Sequence, residues 1–211
     1  MELNKRRNFL KQATIGSVAA MIASKVGAKS LTPREVEGPF YPITPQKDKD
    51  ADLTVVEGKN GVAKGTIIDI VGQVFDQHGN TVEGATIDWW QANSFGKYHH
   101  PHDNSEAPID ENFQAWAILQ SGNDGHFKLR TVMPGAYPLG AVQQRTPHIH
   151  LKVSKLGFES LLTQMYFPNQ SLNEKDGLFK RKSKLEQALM TATNVEGKDN
   201  FYRYDIVIEK V

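Results

Sequence analysis

Thr66-Ile67-Ile68-Asp69-Ile70-Val71-Gly72-Gln73-Val74-Phe75, closed by Asp76-Gln77-His78-Gly79-Asn80 and followed by Val82-Glu83-Gly84-Ala85-Thr86-Ile87-Asp88-Trp89-Trp90-Gln91-Ala92, is the stretch from which the fold is read. The first run is dense in β-branched and apolar residues at strand length, and the five residues after it are turn formers. The third run resumes the strand pattern, with Ala85, Ile87 and Trp89 on one face by the two-residue period. Outward from this pair the same signature recurs. Phe113–Leu119 is closed by Ser121-Gly122-Asn123-Asp124-Gly125, then come Phe127–Val132, His148–Ser154 and Leu161–Phe167, and Tyr202, Tyr204, Ile206 and Ile208 alternate in a last strand. Ser183 and Glu186 form a capping-box pattern around Leu185, Ala188 and Leu189 and predict one helix. Upstream, Leu31 to about Lys64 holds Pro33, Pro39, Pro42 and Pro45, which disfavour regular helix and central strand. The expectation is a mostly β chain: a β-sandwich core with an irregular N-terminal arm and one short C-terminal helix. The boundaries read are 1–28 for a leader, 29–64 for the arm and 65–211 for the sandwich domain.

Composition excludes several chemistries. The 211 residues contain no cysteine, so disulfides, iron–sulfur clusters, thiolate nucleophiles and cysteine-bound zinc are ruled out. The formal charge is +1, from 25 basic and 24 acidic residues, which lacks the basic excess of a nucleic-acid binder. The charge is unevenly spread. Residues 1–28 carry five of the bases and one of the acids, so without them 20 bases face 23 acids and the charge is −3. Any metal must be held by His, carboxylate or Tyr, and the chain offers seven His and six Tyr.

His148-Ile149-His150 lies in a predicted strand, where positions i and i+2 share a face, so both imidazoles could reach one metal. Alone, that spacing is common and reads more readily as two surface histidines. Tyr137 sits in Met133-Pro134-Gly135-Ala136-Tyr137-Pro138, where Pro and Gly predict a tight, stiff turn; a packed corner tyrosine is the plainer reading. Tyr98 follows an apolar strand in Asn93-Ser94-Phe95-Gly96-Lys97-Tyr98-His99-His100 and reads as a surface aromatic if taken singly. Together, two phenols and two imidazoles would favour a hard trivalent ion such as Fe(III) over zinc. A cation would also be needed to ionise a phenol whose free pKa is about 10. His99, His100 and His102 could form a second metal site, but Pro101 and Asp103-Asn104-Ser105 favour solvated loop histidines. Asp88-Trp89-Trp90-Gln91 reads as core and rim of the sandwich.

The ordered motifs resemble those of the intradiol ring-cleavage dioxygenases, non-haem Fe(III) enzymes that open catechol rings. The matching segments are Leu31-Thr32-Pro33, Glu37-Gly38-Pro39-Phe40-Tyr41-Pro42, Gly72-Gln73-Val74-Phe75-Asp76, Trp90-Gln91-Ala92-Asn93 and Gly96-Lys97-Tyr98. They continue with Arg130-Thr131, Pro134-Gly135-Ala136-Tyr137-Pro138, Arg145-Thr146-Pro147-His148-Ile149-His150 and Thr163-Gln164-Met165-Tyr166-Phe167. The resemblance implies Fe(III) held by Tyr98, Tyr137, His148 and His150, with Tyr137 and His150 as the axial pair. It implies insertion of both atoms of O2 between the two hydroxyl-bearing carbons of a catechol, giving a cis,cis-muconate-type diacid. It places Arg145 near the ring, where a guanidinium would stabilise developing negative charge. It places Gln164 near the site for positioning or O2 chemistry, and makes Tyr137 an acceptor of substrate protons.

The chain is similar to the iron-bearing β subunit of protocatechuate 3,4-dioxygenase in having only a short arm before its first strand. It departs from that subunit in having Leu139, two residues after the turn tyrosine, where the subunit has Trp. The substrate is therefore read as protocatechuate-like or catechol-like. The expected partners are a small aromatic diol, O2 and, as in such relatives, other chains of a homo- or hetero-oligomer, with no nucleic acid. A rival reading, from Gly72-Gln73-Val74-Phe75-Asp76, Gly79 and Gly84-Ala85-Thr86, is a non-catalytic β-sandwich binding or adhesion module.

The leader contains Arg6-Arg7-Asn8-Phe9-Leu10-Lys11, a mildly apolar run from Ala13 to Ala23, and Val26-Gly27-Ala28. This order of parts resembles a twin-arginine export signal, and the apolar run is too short to span a membrane stably. The expected location is periplasmic or otherwise exported, and cytoplasmic if the leader does not function. Replacing both arginines (Arg6→Lys, Arg7→Lys) is expected to hold the protein inside the cell in a fractionation assay. Unchanged export of the double variant would contradict the reading.

Overall fold

The computed structural model describes residues 27–44, 46, 48–140 and 143–211. The expected leader over 1–28 lies outside them, apart from its last two residues. The strands are β1 (Ile67–Asp76), β2 (Thr86–Trp90), β3 (Trp116–Gln120), β4 (His126–Val132), β5 (Tyr137–Leu139), β6 (Gln143–Arg145), β7 (His148–Ser154), β8 (Leu161–Tyr166), β9 (Thr193–Asn194), β10 (Phe201–Arg203) and β11 (Ile206–Ile208). A 3-10 turn, Phe179–Arg181, and one helix, α1 (Lys184–Met190), lie between β8 and β9.

Two sheets enclose the core. In the first, β1 pairs antiparallel with β4 and parallel with β10 and β11, and β9 extends β10. In the second, the order is β3-β2-β7-β8, all antiparallel. Ile68, Ile70 and Val74 of β1 and Leu129 of β4 pack in one cluster with Ile87 and Trp89 of β2, Ile149, Leu151 and Val153 of β7, and Met165 of β8. The predicted face of Ala85, Ile87 and Trp89 is fully buried here. Burial of such apolar area, about 25 cal/mol per Å2, is the main stabilising term for a chain without disulfides.

The expected last strand is interrupted. β10 and β11 keep one register along β1, Val71 opposite Arg203 and Val74 opposite Ile206, but the ladder breaks at Tyr204-Asp205. A Cβ built at Gly72 would stand 1.9 Å from the Tyr204 carbonyl oxygen, so only glycine admits this approach. The Gln73 N–H then donates to the Asp205 side chain at 3.1 Å.

Other boundaries shift for local reasons. β3 begins at Trp116 rather than Phe113, because Gln114 N–H donates to Leu53 O of the arm and Ala115 O accepts from Gln91 N–H. α1 carries the expected capping box, with Ser183 accepting from Glu186 N–H. Leu185 of this helix is exposed, and Met190 is the residue that docks, against Tyr166 and Phe179.

The outer face of the second sheet positions the site. Register aligns Trp116, Trp90, His150 and Gln164 in one row across β3, β2, β7 and β8, with His148 opposite Tyr166 in the next row. Along β7, Ile149, Leu151 and Val153 face the core, while His148, His150, Lys152 and Ser154 face outward. The two histidines are buried, whereas Lys152 and Ser154 are exposed. The arm makes the difference. It crosses the β8 edge through Glu35 N–H to Leu162 O, and Tyr41 then packs edge-on against Trp90 and donates to Asp88 at 2.7 Å.

Candidate active site

Three elements bring four donor side chains to one point. β7 supplies His148 and His150. The loop after β2 supplies Tyr98, and β5 supplies Tyr137. The two tyrosine-bearing segments meet through a glycine contact: a Cβ on Gly96 would lie 2.4 Å from Ala136 O, and one on Gly135 would lie 2.3 Å from Gly96 N. Tyr98 is fixed from below by Asp103, whose carboxylate accepts from Tyr98 N–H at 2.7 Å and from the buried Lys97 ammonium at 3.4 Å. Phe40 of the arm stacks over the Tyr98 ring, with centroids 4.7 Å apart.

The donor atoms form a closely spaced set. His148 Nε2 lies 3.2 Å from His150 Nε2 and 3.4 Å from Tyr137 Oη, and His150 Nε2 lies 3.1 Å from Tyr98 Oη. All four residues are buried. His148 Nδ1 is 2.7 Å from Thr146 O, a carbonyl that only accepts, so Nδ1 carries the proton and Nε2 presents a lone pair inward. The His150 ring is clamped flat on Trp90, with centroids 5.0 Å apart and planes 12° apart. Its buried Nδ1 has no hydrogen-bond partner among the described residues.

Donors that each lie about 2 Å from a small ion stand roughly 3 Å from one another, which is the spacing found here. The set therefore fits a metal ion, and two phenol oxygens with two imidazoles fit a hard, highly charged one. Among the described residues, no group of three His, Asp or Glu offers an alternative site.

Without a cation the site is electrically neutral. Burial holds His148 and His150 well below the ordinary histidine pKa, and the Arg145 charge pushes both further down. Burial lifts the Tyr98 phenol well above its ordinary value, with Tyr137 beside it adding to the rise. Burial also raises Tyr137, against the opposing pull of Arg145.

Arg145 stands next to this set, opposite Tyr137 in the β5–β6 ladder and nearly buried. Its Nε donates to Asp176 at 2.7 Å, and one terminal nitrogen donates to Gln164 Oε1 at 2.6 Å and Tyr166 Oη at 3.3 Å. Burial disfavours its charge, yet Tyr137, Asp176 and Tyr166 together hold its pKa above the ordinary value. Gln164 Nε2 donates to Val36 O of the arm at 3.0 Å, so both ends of that amide are engaged by protein.

A family model described as "Dioxygenase" matches residues 36–210. The chain is 34% identical over 183 residues to the protocatechuate 3,4-dioxygenase beta chain of Burkholderia cepacia, covering 83% of this chain and 78% of that one. The chain belongs to the intradiol ring-cleavage dioxygenases. A chlorocatechol 1,2-dioxygenase of Cupriavidus pinatubonensis is 31% identical over 184 residues, covering 79% of this chain and 67% of that one. Among solved structures, the dioxygenase domain of a dioxygenase–carbohydrate-binding fusion protein from Streptomyces sp. SirexAA-E superposes with a TM-score of 0.65 at 27% identity. That match covers 86% of this chain and all of that one. The non-catalytic module reading is thereby set aside.

For this dioxygenase, three local readings are corrected. Tyr137 is not in a tight turn but opens β5 of a two-stranded hairpin, where Pro138 is tolerated because the ribbon has a free edge. Tyr98 is not a surface aromatic but buried under Phe40. His100 is not a solvated loop residue: it is buried beside Phe40 and accepts from His102 N–H at 3.1 Å. Asp176, Tyr166 and the stacking role of Trp90 were not singled out. Trp90 was readable only as core or rim, since its partnership with His150 depends on strand register.

The depressed histidine pKa values set a pH dependence for the metal-free protein. As pH falls through about 6.5 the unfolded chain takes up protons that folded His148 and His150 refuse, so stability falls with pH. The slope approaches about 1.4 kcal/mol per pH unit for each histidine. Urea melts between pH 7.5 and 5.5, above the range in which carboxylates titrate, should show this fall. A His148→Gln/His150→Gln variant should lose the larger part of it, the remainder coming from His99 and His100, which burial also holds down. An unchanged slope in the double variant would contradict the account.

Proposed function

We propose that this enzyme binds one Fe(III) through Tyr98 Oη, Tyr137 Oη, His148 Nε2 and His150 Nε2 and opens a catechol-type ring between its two hydroxylated carbons, using O2. The observation that carries the reading is the convergence of these four buried donors beside the buried guanidinium of Arg145. Bound there, the ion would act as a Lewis acid, favouring the phenolate over the phenol and drawing both catechol oxygens into their ionised form.

The protein's own groups do the rest. Tyr98, held by Asp103 and capped by Phe40, is the fixed phenol. Tyr137, carried on a three-residue strand and lying beside Arg145, is the tyrosine whose Oη, ionised while the cation is bound, would take one of the two catechol protons, the other leaving to solvent. Arg145 stabilises negative charge as it builds on the ring carbon that O2 attacks, an electrostatic effect commonly worth 10²–10³ in rate per group. Gln164 works as a positioning residue, because its Oε1 holds Arg145 and its Nε2 is committed to Val36 O. Trp90 and Phe40 keep water from the donor set.

The product would be a cis,cis-muconate-type diacid. The substrate class is a protocatechuate-like or catechol-like diol, supported by the relatives named for protocatechuate and chlorocatechol. Leu139, half-exposed beside Tyr137, stands where a pocket wall in the similar β subunit carries Trp. Export through the twin-arginine route belongs to the same reading, since that route carries proteins folded around their metal. The described residues contain no helix long and apolar enough to cross a membrane.

The iron-loaded protein is expected to be red-brown, from phenolate-to-Fe(III) charge transfer. His148→Ala and His150→Ala should each lose the metal and the colour. Oxygen uptake should be seen with at least one of catechol, protocatechuate, hydroxyquinol and chlorinated catechols. A protein that stays colourless and iron-free after reconstitution, or histidine variants that keep stoichiometric iron and turnover, would overturn the assignment.

A further inference from the structure

Asp176 belongs to no motif of the chain and lies in the polar loop Ser171-Leu172-Asn173-Glu174-Lys175-Asp176-Gly177 between β8 and α1. It is nonetheless fully buried. Its carboxylate is saturated: Oδ2 accepts from Arg145 Nε at 2.7 Å and from Thr146 N–H at 3.0 Å, while Oδ1 accepts from Leu178 N–H at 2.9 Å and Phe179 N–H at 3.1 Å. The two Oδ1 bonds tie the carboxylate to the start of the 3-10 turn, whose Phe179 packs on Tyr166. Asn173 of the same loop accepts from Thr146 Oγ1 at 2.8 Å and donates to Phe167 O at 2.9 Å, so the loop grips Thr146 twice.

A single carboxylate oxygen thus holds the side chain of Arg145 and the peptide of Thr146, and the carbonyl of Thr146 accepts the proton of His148 Nδ1. We propose that Asp176 is the positioning residue of Arg145: it fixes the plane and direction of the guanidinium so that the charge faces the reacting ring. The proposal rests on the role given above to Arg145. The physical case is that a guanidinium has several rotatable bonds, and its charge acts on the transition state only if it is already aimed there. Nε held by Asp176 and a terminal nitrogen held by Gln164 and Tyr166 define the plane from two sides. The same carboxylate keeps a buried cation paired, without which its burial would be strongly unfavourable. A carboxylate that served only to cap the 3-10 turn would not need to reach Arg145.

The test is a double-mutant cycle on the iron-loaded full chain, read by oxygen uptake with catechol and with protocatechuate, together with iron content, the visible band and thermal melts. Arg145→Ala alone is expected to lower kcat about 100-fold with iron retained. Asp176→Asn should lower kcat at least tenfold while KM changes less than threefold and iron and colour persist. In the Arg145→Ala background the same substitution should lower kcat less than twofold further, because the residue it positions is gone. Melting there checks folding alone, since the carboxylate still accepts from the Thr146, Leu178 and Phe179 N–H groups without Arg145. If Asp176→Asn does not fold, Asp176→Glu enters the same cycle; it keeps the charge but displaces it, and a loss of at least fivefold confined to the Arg145 background is expected. Equal fold losses in both backgrounds, or a loss that tracks iron content, would overturn the proposal and leave Asp176 a structural residue. A slow Arg145→Ala enzyme with a fully active Asp176→Asn would overturn the positioning role alone. An Arg145→Ala enzyme with unchanged kcat would remove the role of Arg145 and the proposal with it.

Discussion

His148 and His150 turn their Nε2 atoms toward one another across 3.2 Å in a place that solvent hardly reaches. Burial and a neighbouring arginine keep both rings neutral. Much of the surrounding structure can be understood as what is needed to keep two imidazoles and two phenols in that condition. β7 is the means. Its inward residues Ile149, Leu151 and Val153 are locked in the core, so its outward residues cannot rotate away. Trp90 flattens one ring, the Thr146 carbonyl fixes the tautomer of the other, and Gly38 of the arm lies close over His150.

Charge is managed as tightly as shape. One guanidinium is admitted beside the donor set, and it is paired on its far side by a carboxylate that belongs to a different loop. The arrangement separates two tasks. The four donors would share one cation, while Arg145 adds a positive charge that would oppose that cation if it were not offset by Asp176. The arm takes part in both: Phe40 covers Tyr98, and Val36 O secures the amide that holds Arg145.

Much of this was legible in the sequence. The two-residue period of β2 put Ala85, Ile87 and Trp89 on one face, which is buried, and the spacing of His148 and His150 put them on one face, because these are local properties of a strand. The ordered motifs pointed to Tyr98 and Tyr137 as well. What was not legible depends on long-range pairing. The row of Trp116, Trp90, His150 and Gln164 exists only once four strands find their register. The close approach of the Tyr204 carbonyl requires Gly72, 132 residues away. Tyr137 was read as a turn residue because Gly135 and Pro138 flank it, yet hydrogen bonding to β6 draws it into a strand. Asp176 sits among polar loop residues with no periodicity, so nothing local distinguished it from a solvated aspartate.

The central claim is that this donor set, with its arginine, directs oxygen to the bond between the two hydroxylated carbons. Mass analysis of the product formed by the iron-loaded enzyme under 18O2, with the substrate selected by oxygen uptake, tests it directly. The account predicts a diacid of the cis,cis-muconate type carrying both atoms of one O2. A semialdehyde product, from cleavage beside rather than between the hydroxyls, or a diacid whose added oxygen comes only from water, would contradict it.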